Sequence, residues 1–329
     1  MTYGIDPIGY QPTGYADIES GTLPSNDHVS TQAWSGATWA GTPSEATWAT
    51  AGTYENVLFM TGEISDAGTI EAGETVQMAV ANLQNQQPAK KWRSSEVHDY
   101  LEITLDEPLA ANALAINASN LAAGFIRVRA YTTAANLAAN TNAIDMCNWT
   151  SPWPLGNRPQ LRSWPRYLNL VRWTNAASAF RFWRVDIADS GAAEGYLEAG
   201  RFVLDRYWRP TINADFGSGI QIETFDVQTR SPWGNLYTDP RRSGRSIMLK
   251  FSAAEWRDAF DIFSEMQRRR GQGRDVIVFL DPAETTDFQQ FAFHGLITSV
   301  GKIEAMAAFG GSTVREMWTF TITISELLD

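Results

Sequence analysis

Period-two alternation is the pattern that most limits what this chain can become. Trp318, Phe320, Ile322 and Ile324 alternate with Thr319, Thr321 and Thr323, the mark of a strand with one buried face. The same rhythm runs through residues 100–105 (YLEITL), 125–131 (FIRVRAY), 180–187 (FRFWRVDI), 196–204 and 220–227, with 113–116 and 291–300 as further strand candidates. Short strands separated by turn residues predict a mainly β protein built as a sandwich or jelly roll.

One stretch breaks the rhythm. Ser252, with Glu255 three residues on, matches a capping box and predicts a helix over about 252–270. Trp256, Ala259, Phe260, Phe263 and Met266 would share one apolar face. Arg268, Arg269 and Arg270 suit the negative end of a helix, and Gly271 a left-handed stop. Residues 276–280 are apolar on both faces, and Asp281-Pro282 ends that run. A single helix among strands predicts an α+β unit, a small barrel or sandwich with the helix on its side or rim. If Phe260 and Phe263 are core, truncating either to Ala costs about 3–5 kcal/mol.

The chain has 329 residues, enough for two domains, and its 44% hydrophobic content excludes an intrinsically disordered protein. A formal charge of −11 argues against a general nucleic-acid binder, which needs a basic face. Thirteen Trp suit sandwich cores, interfaces or sugar-stacking platforms. Cys147 is the single cysteine, so no intrachain disulfide can form. The start, MTYGIDPIGY, lacks the basic-then-apolar pattern of a signal peptide, and no run approaches the ~18 apolar residues of a membrane span. The expectation is a soluble chain made in a cytoplasm, without membrane insertion.

Three segments emerge. Residues 1–53 are rich in Gly, Pro, Ser, Thr and Ala, with Trp34, Trp39 and Trp48 widely spaced. They are either an extended arm docking elsewhere or a long loop covering its own domain. Residues 54–208 carry the sandwich pattern. Pro210 lies in a linker of changed texture, and 209–329 carry strands plus the helix.

The runs KKWRSSEVHDYLEITLDEP, ALAINASNL, FIRVRAY and FRFWRVDIADSGAAEGYLEAGRFVL resemble the discoidin, or galactose-binding-like, family over about residues 76–207. That resemblance implies an eight-stranded jelly roll interrupted by an insertion at 132–175, with ligand-meeting loops at one end. It would place Trp92 and Arg93, and within the insertion Trp149 and Trp153, near such loops. The order of elements in 215–329 is similar to the tail-tube-like barrel of phage tail proteins. Together the two parts resemble distal tail or baseplate proteins of long-tailed phages. The implied role is a virion structural protein of the tail tip, assembled in the host cytoplasm. Its partners would be itself in a ring, a hexamer for preference, the tail tube and baseplate hub, and host-surface glycan, with DNA passing through the lumen unbound. A carbohydrate-binding adhesin, or the accessory module of a carbohydrate-active enzyme, is the alternative.

His28, His98 and His294 have no metal-ligand spacing, so neither a zinc site nor a cofactor is expected. Gly271–Gly273 follow a helix rather than precede one, the wrong order for a phosphate loop. Asp186 with Asp189, or Asp281 with Glu284, could be glycosidase carboxylates, but such residues at turns are usually solvated or capping. No catalytic set is expected. Arg230, Arg241, Arg242 and Arg245, with Lys250, form a basic cluster that is either a solvated loop or an inter-subunit contact.

Overall fold

The computed structural model describes residues 55–73, 76–121, 124–152, 167–174, 178–192, 194–215, 218–270, 273–284, 288–305 and 317–328, with two short strands earlier. Met1–Tyr54 and Glu55–Asp329 are separate compact units. In the first, Trp34–Ser35 pairs antiparallel with Thr38–Trp39. The remainder of the expected arm lies outside the described residues.

The second unit is mainly β. A five-stranded antiparallel sheet runs in the order Ile144–Thr150, Phe125–Tyr131, Phe180–Ala188, His98–Leu109, Gly68–Ala72. A three-stranded sheet, Tyr167–Arg172, Ala113–Ser119, Arg201–Asp205, faces it. Alternation explains the pairing: Leu101, Ile103 and Leu105 meet Ile126, Val128, Trp183 and Val185 in one core, closed from the other sheet by Leu114, Ile116, Phe202 and Leu204. This five-plus-three sandwich is the eight-stranded jelly roll expected for a discoidin-like domain. The expected insertion 132–175 is part of the frame, since it supplies an edge strand to each sheet. The run 196–204 is two strands, Glu198–Ala199 and Arg201–Asp205, broken at Gly200. A Cβ there would stand 2.2 Å from the Pro88 carbonyl oxygen.

Glu198–Ala199, Trp92–Ser94 and Val76–Met78 form a small antiparallel sheet beside the sandwich, Val227–Arg230 pairs with Leu236–Asp239, and a seven-stranded antiparallel sheet takes the other strands of this unit. Its main path is Gly219–Thr224, Ser243–Glu255, Met317–Glu326, Ala292–Val300, Asp275–Phe279 and Leu58–Met60. Leu58–Met60 lies in the segment that its strand pattern assigns to the sandwich, yet it pairs with Ile277–Phe279. Residues 68–205 are therefore inserted between the first strand of this sheet and the rest. The edge at Phe59 is covered by paired backbone bonds to Trp208 of 2.8 and 2.9 Å.

The helix is shorter than expected. The strand continues to Glu255, and a π-helical turn, Arg257–Ser264, leads into the α-helix Glu265–Arg270. The capping box does not form: Ser252 is still in the strand and its hydroxyl donates to Asp215. Pairing of Phe251 with Phe320 and of Glu255 with Met317 outcompetes a cap whose net gain is only about 1 kcal/mol. The apolar face survives. Ala259, Phe263 and Met266 pack on Phe251, Phe293, Phe320 and Ile322, whereas Trp256 is 51% exposed.

Asp275–Phe279 is buried on both faces, as its composition required. Val276 and Val278 join the helix-side core; Ile277 and Phe279 face Ala113, Ala115 and Val203 of the three-stranded sheet. Alanines at 113 and 115 let the two sheets approach. The result is four layers: helix, seven-stranded sheet, three-stranded sheet, five-stranded sheet.

A buried polar chain crosses that sheet–sheet boundary. Arg201, fully buried, donates Nε to Asp275 (2.7 Å) and both terminal nitrogens to Asp66 (2.7 and 2.9 Å). Asp275 also accepts from His294 Nε2 at 2.7 Å, and His294 Nδ1 accepts from Asn117 Nδ2 at 2.8 Å. Asn117 and Arg201 belong to the inserted sandwich, Asp66 to the short helix Glu63–Asp66 that leads into it, and Asp275 and His294 to the second sheet.

Candidate functional site

The end of the three-stranded sheet nearest residues 207–213 holds a cleft of about 570 Å³, within the range of small-ligand sites. Asn112 organises it. Its backbone amide donates to Asp205 and its carbonyl accepts from Trp173, each at 3.0 Å, while its Oδ1 accepts from the Tyr207 amide at 3.0 Å. Register then delivers Arg172, paired with Ala113, to the same rim. Asn56 donates to the Pro210 carbonyl at 2.9 Å, and Val57 to the Asn213 side chain at 3.0 Å. These bonds bring Glu55 and Arg209 to the opposite wall.

There, Glu55 accepts from Arg172 and lies 3.5 Å from Arg209. Trp173 is buried, its Nε1 donating to Ala111 at 3.0 Å, and shows the cleft little of its ring. Tyr207 is half-buried on the floor. Behind the wall, Asp281 accepts from the amides of Glu55 and Ala283, and burial pushes its carboxyl above the ordinary value despite those bonds.

The residues singled out from sequence fall elsewhere, with one near the cleft. Trp92 is 1% exposed and belongs to the sandwich core, so it offers no face to a ligand. Arg93 lies beside Tyr196, 4.2 Å from the ring centroid, and its Nε donates to Glu198 at 3.1 Å. With Lys91 it neutralises a buried carboxylate. Trp149 is 47% exposed and immediately precedes Thr150 and Ser151, which line the cleft. Trp153 lies outside the described residues, as do His28 and the glycines at 271 and 272.

The basic cluster divides. Arg230, Arg241 and Arg242 are exposed, Arg241 pairing loosely with Asp239 at 3.3 Å. Arg245 is an internal fastener instead of an exposed interface cation. It clamps Glu326, donates to the carbonyls of Gln289, Gln290 and Ala292, and stacks 4.2 Å over Phe293. Arg230 and its neighbours belong to a hairpin, Val227–Arg230 with Leu236–Asp239, whose strand residues are all exposed. Trp233 at its tip is 90% exposed and Tyr237 61%, and Ile222 on the adjacent edge strand is 70% exposed.

Of the carboxylates considered for catalysis, Asp186 is bound by Arg129 and Arg184, and Asp281 caps backbone amides. Among the described residues no group of three or more His, Cys, Asp or Glu could hold a metal ion, and no helix is long and apolar enough to cross a membrane. The cleft itself was missed by sequence reading. Glu55, Asn112, Arg172 and Arg209 carry no shared spacing, and only strand register and the sheet insertion bring them together.

No family model matches this chain, and no curated protein matches it. Solved structures do. The family 32 carbohydrate-binding module of NanJ from C. perfringens, in complex with galactose, is 10% identical, with a TM-score of 0.33 over 46% of this chain and 99% of that one. The family 32 module of AlyQ, in complex with 4,5-unsaturated mannuronic acid, is 13% identical over 44% and 97%, TM-score 0.32. A chitosan-binding module of a Paenibacillus sp. IK-5 chitosanase/glucanase is 12% identical over the same shares, TM-score 0.32. At such identities and scores, the class of this domain rests on its own strand pairing. It is a jelly-roll β-sandwich, inserted into a seven-stranded sheet that carries one helical segment.

Proposed function

We propose that this protein binds carbohydrate, acting as a binding protein and not as an enzyme. The observation that carries the reading is the cleft at Asn112. It combines planar hydrogen-bonding groups (Asn112, Arg172, Arg209, Glu55) with aromatic surface at the half-buried Tyr207. Sugars need such directional donors and acceptors for their hydroxyls, and an apolar wall for their C–H faces. The saccharide-binding modules among the structural neighbours are in keeping with it, without bearing on which surface is used. A glycan array probed with the full chain should give saturable binding. Trp149→Ala, at an exposed position beside the cleft, should weaken that binding while leaving the melting temperature unchanged. Absence of binding to every glycan on the array would overturn the reading.

A second reading, a structural protein of a phage tail tip that assembles into a homo-oligomeric ring, is favoured by the exposed hairpin. Trp233, Leu236 and Tyr237 beside Arg230 make an apolar and cationic ribbon. The neighbouring edge strand, Gly219–Thr224, has an unpaired side among the described residues. Such ribbons and edges are usually covered, and a copy of this acidic chain offers complementary charge. Sedimentation velocity should show a discrete oligomer that Trp233→Ser with Tyr237→Ser dissociates. A monomer at every concentration excludes the ring.

A further inference from the structure

We infer that the cleft at Asn112 is selective for saccharides bearing a carboxylate, a uronate unit, with Arg172 and Arg209 as the recognising pair; this rests on the carbohydrate-binding reading above. Among the described residues of the lining, cations outnumber carboxylates. Two guanidinium groups share one carboxylate: Glu55 takes Nη1 of Arg172, and its contact with Arg209 Nη1 is a long 3.5 Å. Each guanidinium has five N–H donors, so most of them have no acceptor among the described residues. Asn112 adds another. It is only 9% exposed, its Oδ1 is taken by the Tyr207 amide, and its Nδ2 donates to no described group although the residue lines the cleft.

An occupant that displaces water from these donors must therefore bring acceptors. A carboxylate presents two in one plane, the match for a guanidinium fork. Among the described lining residues, two cations against one anion favour a negative ligand even though the chain as a whole is acidic. Asp281 does not offset this, because it sits behind the wall with its carboxylate turned to the Glu55 and Ala283 amides. A small inorganic anion would leave most of 570 Å³ empty. Sugar rings fill it, and their hydroxyls can use Thr150, Thr174 and Tyr207 on the same lining.

The test is calorimetric titration of the full chain with digalacturonic acid and with its neutral counterpart, galactobiose. The acid should bind about tenfold more tightly or better, the scale of a charge-assisted hydrogen bond, and added salt should narrow the gap. Arg209→Gln should abolish that preference and leave the fold intact, since the side chain is 41% exposed with one long contact. Arg268→Gln, the same charge change on the remote helix, should leave the preference unaltered. Equal affinity for the two sugars, or a preference that survives Arg209→Gln, overturns the inference. So does displacement of the acid by a peptide with a free C-terminal carboxylate at equal affinity. If galactobiose binds and Asn112→Ala removes it, the carbohydrate reading stands and only the acid selectivity falls. If neither sugar nor any arrayed glycan binds, the broader reading falls with it.

Discussion

Arg201→Met should destabilise the protein by about 3–5 kcal/mol, the range for breaking a buried ion pair from one side. The guanidinium has no exposure and bonds Asp66, Asp275 and the Leu83 carbonyl. Without it, two carboxylates lose their counter-charge, one of them only 1% exposed. Lys in its place should recover little, because an ammonium cannot reach both carboxylates with the same fork. Adding Asp275→Asn to Arg201→Met should recover part of the loss, by removing the stranded charge. Urea denaturation of the four chains measures this; a loss below about 1 kcal/mol for Arg201→Met would show that the chain of charges is dispensable.

The same network sets an acid limit. Burial alone would push the Asp275 carboxyl up, but the His294 hydrogen bond and the Arg201 charge outweigh it and hold it well below the usual carboxylate range. A carboxyl whose folded value is lowered favours the folded state fully above its unfolded value, about pH 4. That contribution is lost as pH falls below about 4 toward the folded value. Stability measured between pH 5 and pH 2 should therefore fall more steeply in the parent than in the Arg201→Met, Asp275→Asn variant.

Phe263→Ala is the other large effect, about 3–5 kcal/mol. The ring has no exposure, stacks on Phe320 at 4.1 Å between centroids and meets Trp208 at 6.5 Å. It joins the helix to the sheet and to the chain segment that covers the Phe59 edge, so the void cannot close by moving one side chain. Phe260→Ala should cost less, about 1–2 kcal/mol. Phe260 is only half-buried, resting edge-on against Trp318 at 4.6 Å. The two residues are equivalent by helical periodicity, and the difference between them arises from the sheet. Equal losses from the two truncations would mean that the helix packs differently from the arrangement described above.

Much of this protein was legible in its sequence. Period-two alternation located strands such as Met317–Glu326 and the side chains they bury, as at Phe320, Ile322 and Ile324, because side chains of a strand point alternately to its two faces. At 220–227 it misled: Ile220 and Ile222 lie on the peripheral strand Gly219–Thr224, Phe225 follows it, and all three stay exposed. The two-faced apolar run 276–280 marked a strand covered on both sides, and the helix face at Ala259, Phe263 and Met266 followed from its 3.6-residue period. Local signals decided less where tertiary pairing competed. Ser252 and Glu255 are a capping box by spacing, but the strand partner at 317–320 took them. Trp92 and Arg93 looked like loop residues, yet the small sheet with Glu198 draws Trp92 inward and ties Arg93 down. Arg245 looked like a surface cation until Glu326, far along the chain, supplied its counter-charge. What only the tertiary structure decided was the sheet insertion at Leu58–Met60, the Arg201 network and the cleft at Asn112. Each gathers single residues from distant segments, and such contacts follow from strand order and register, which leave no periodic trace along a sequence.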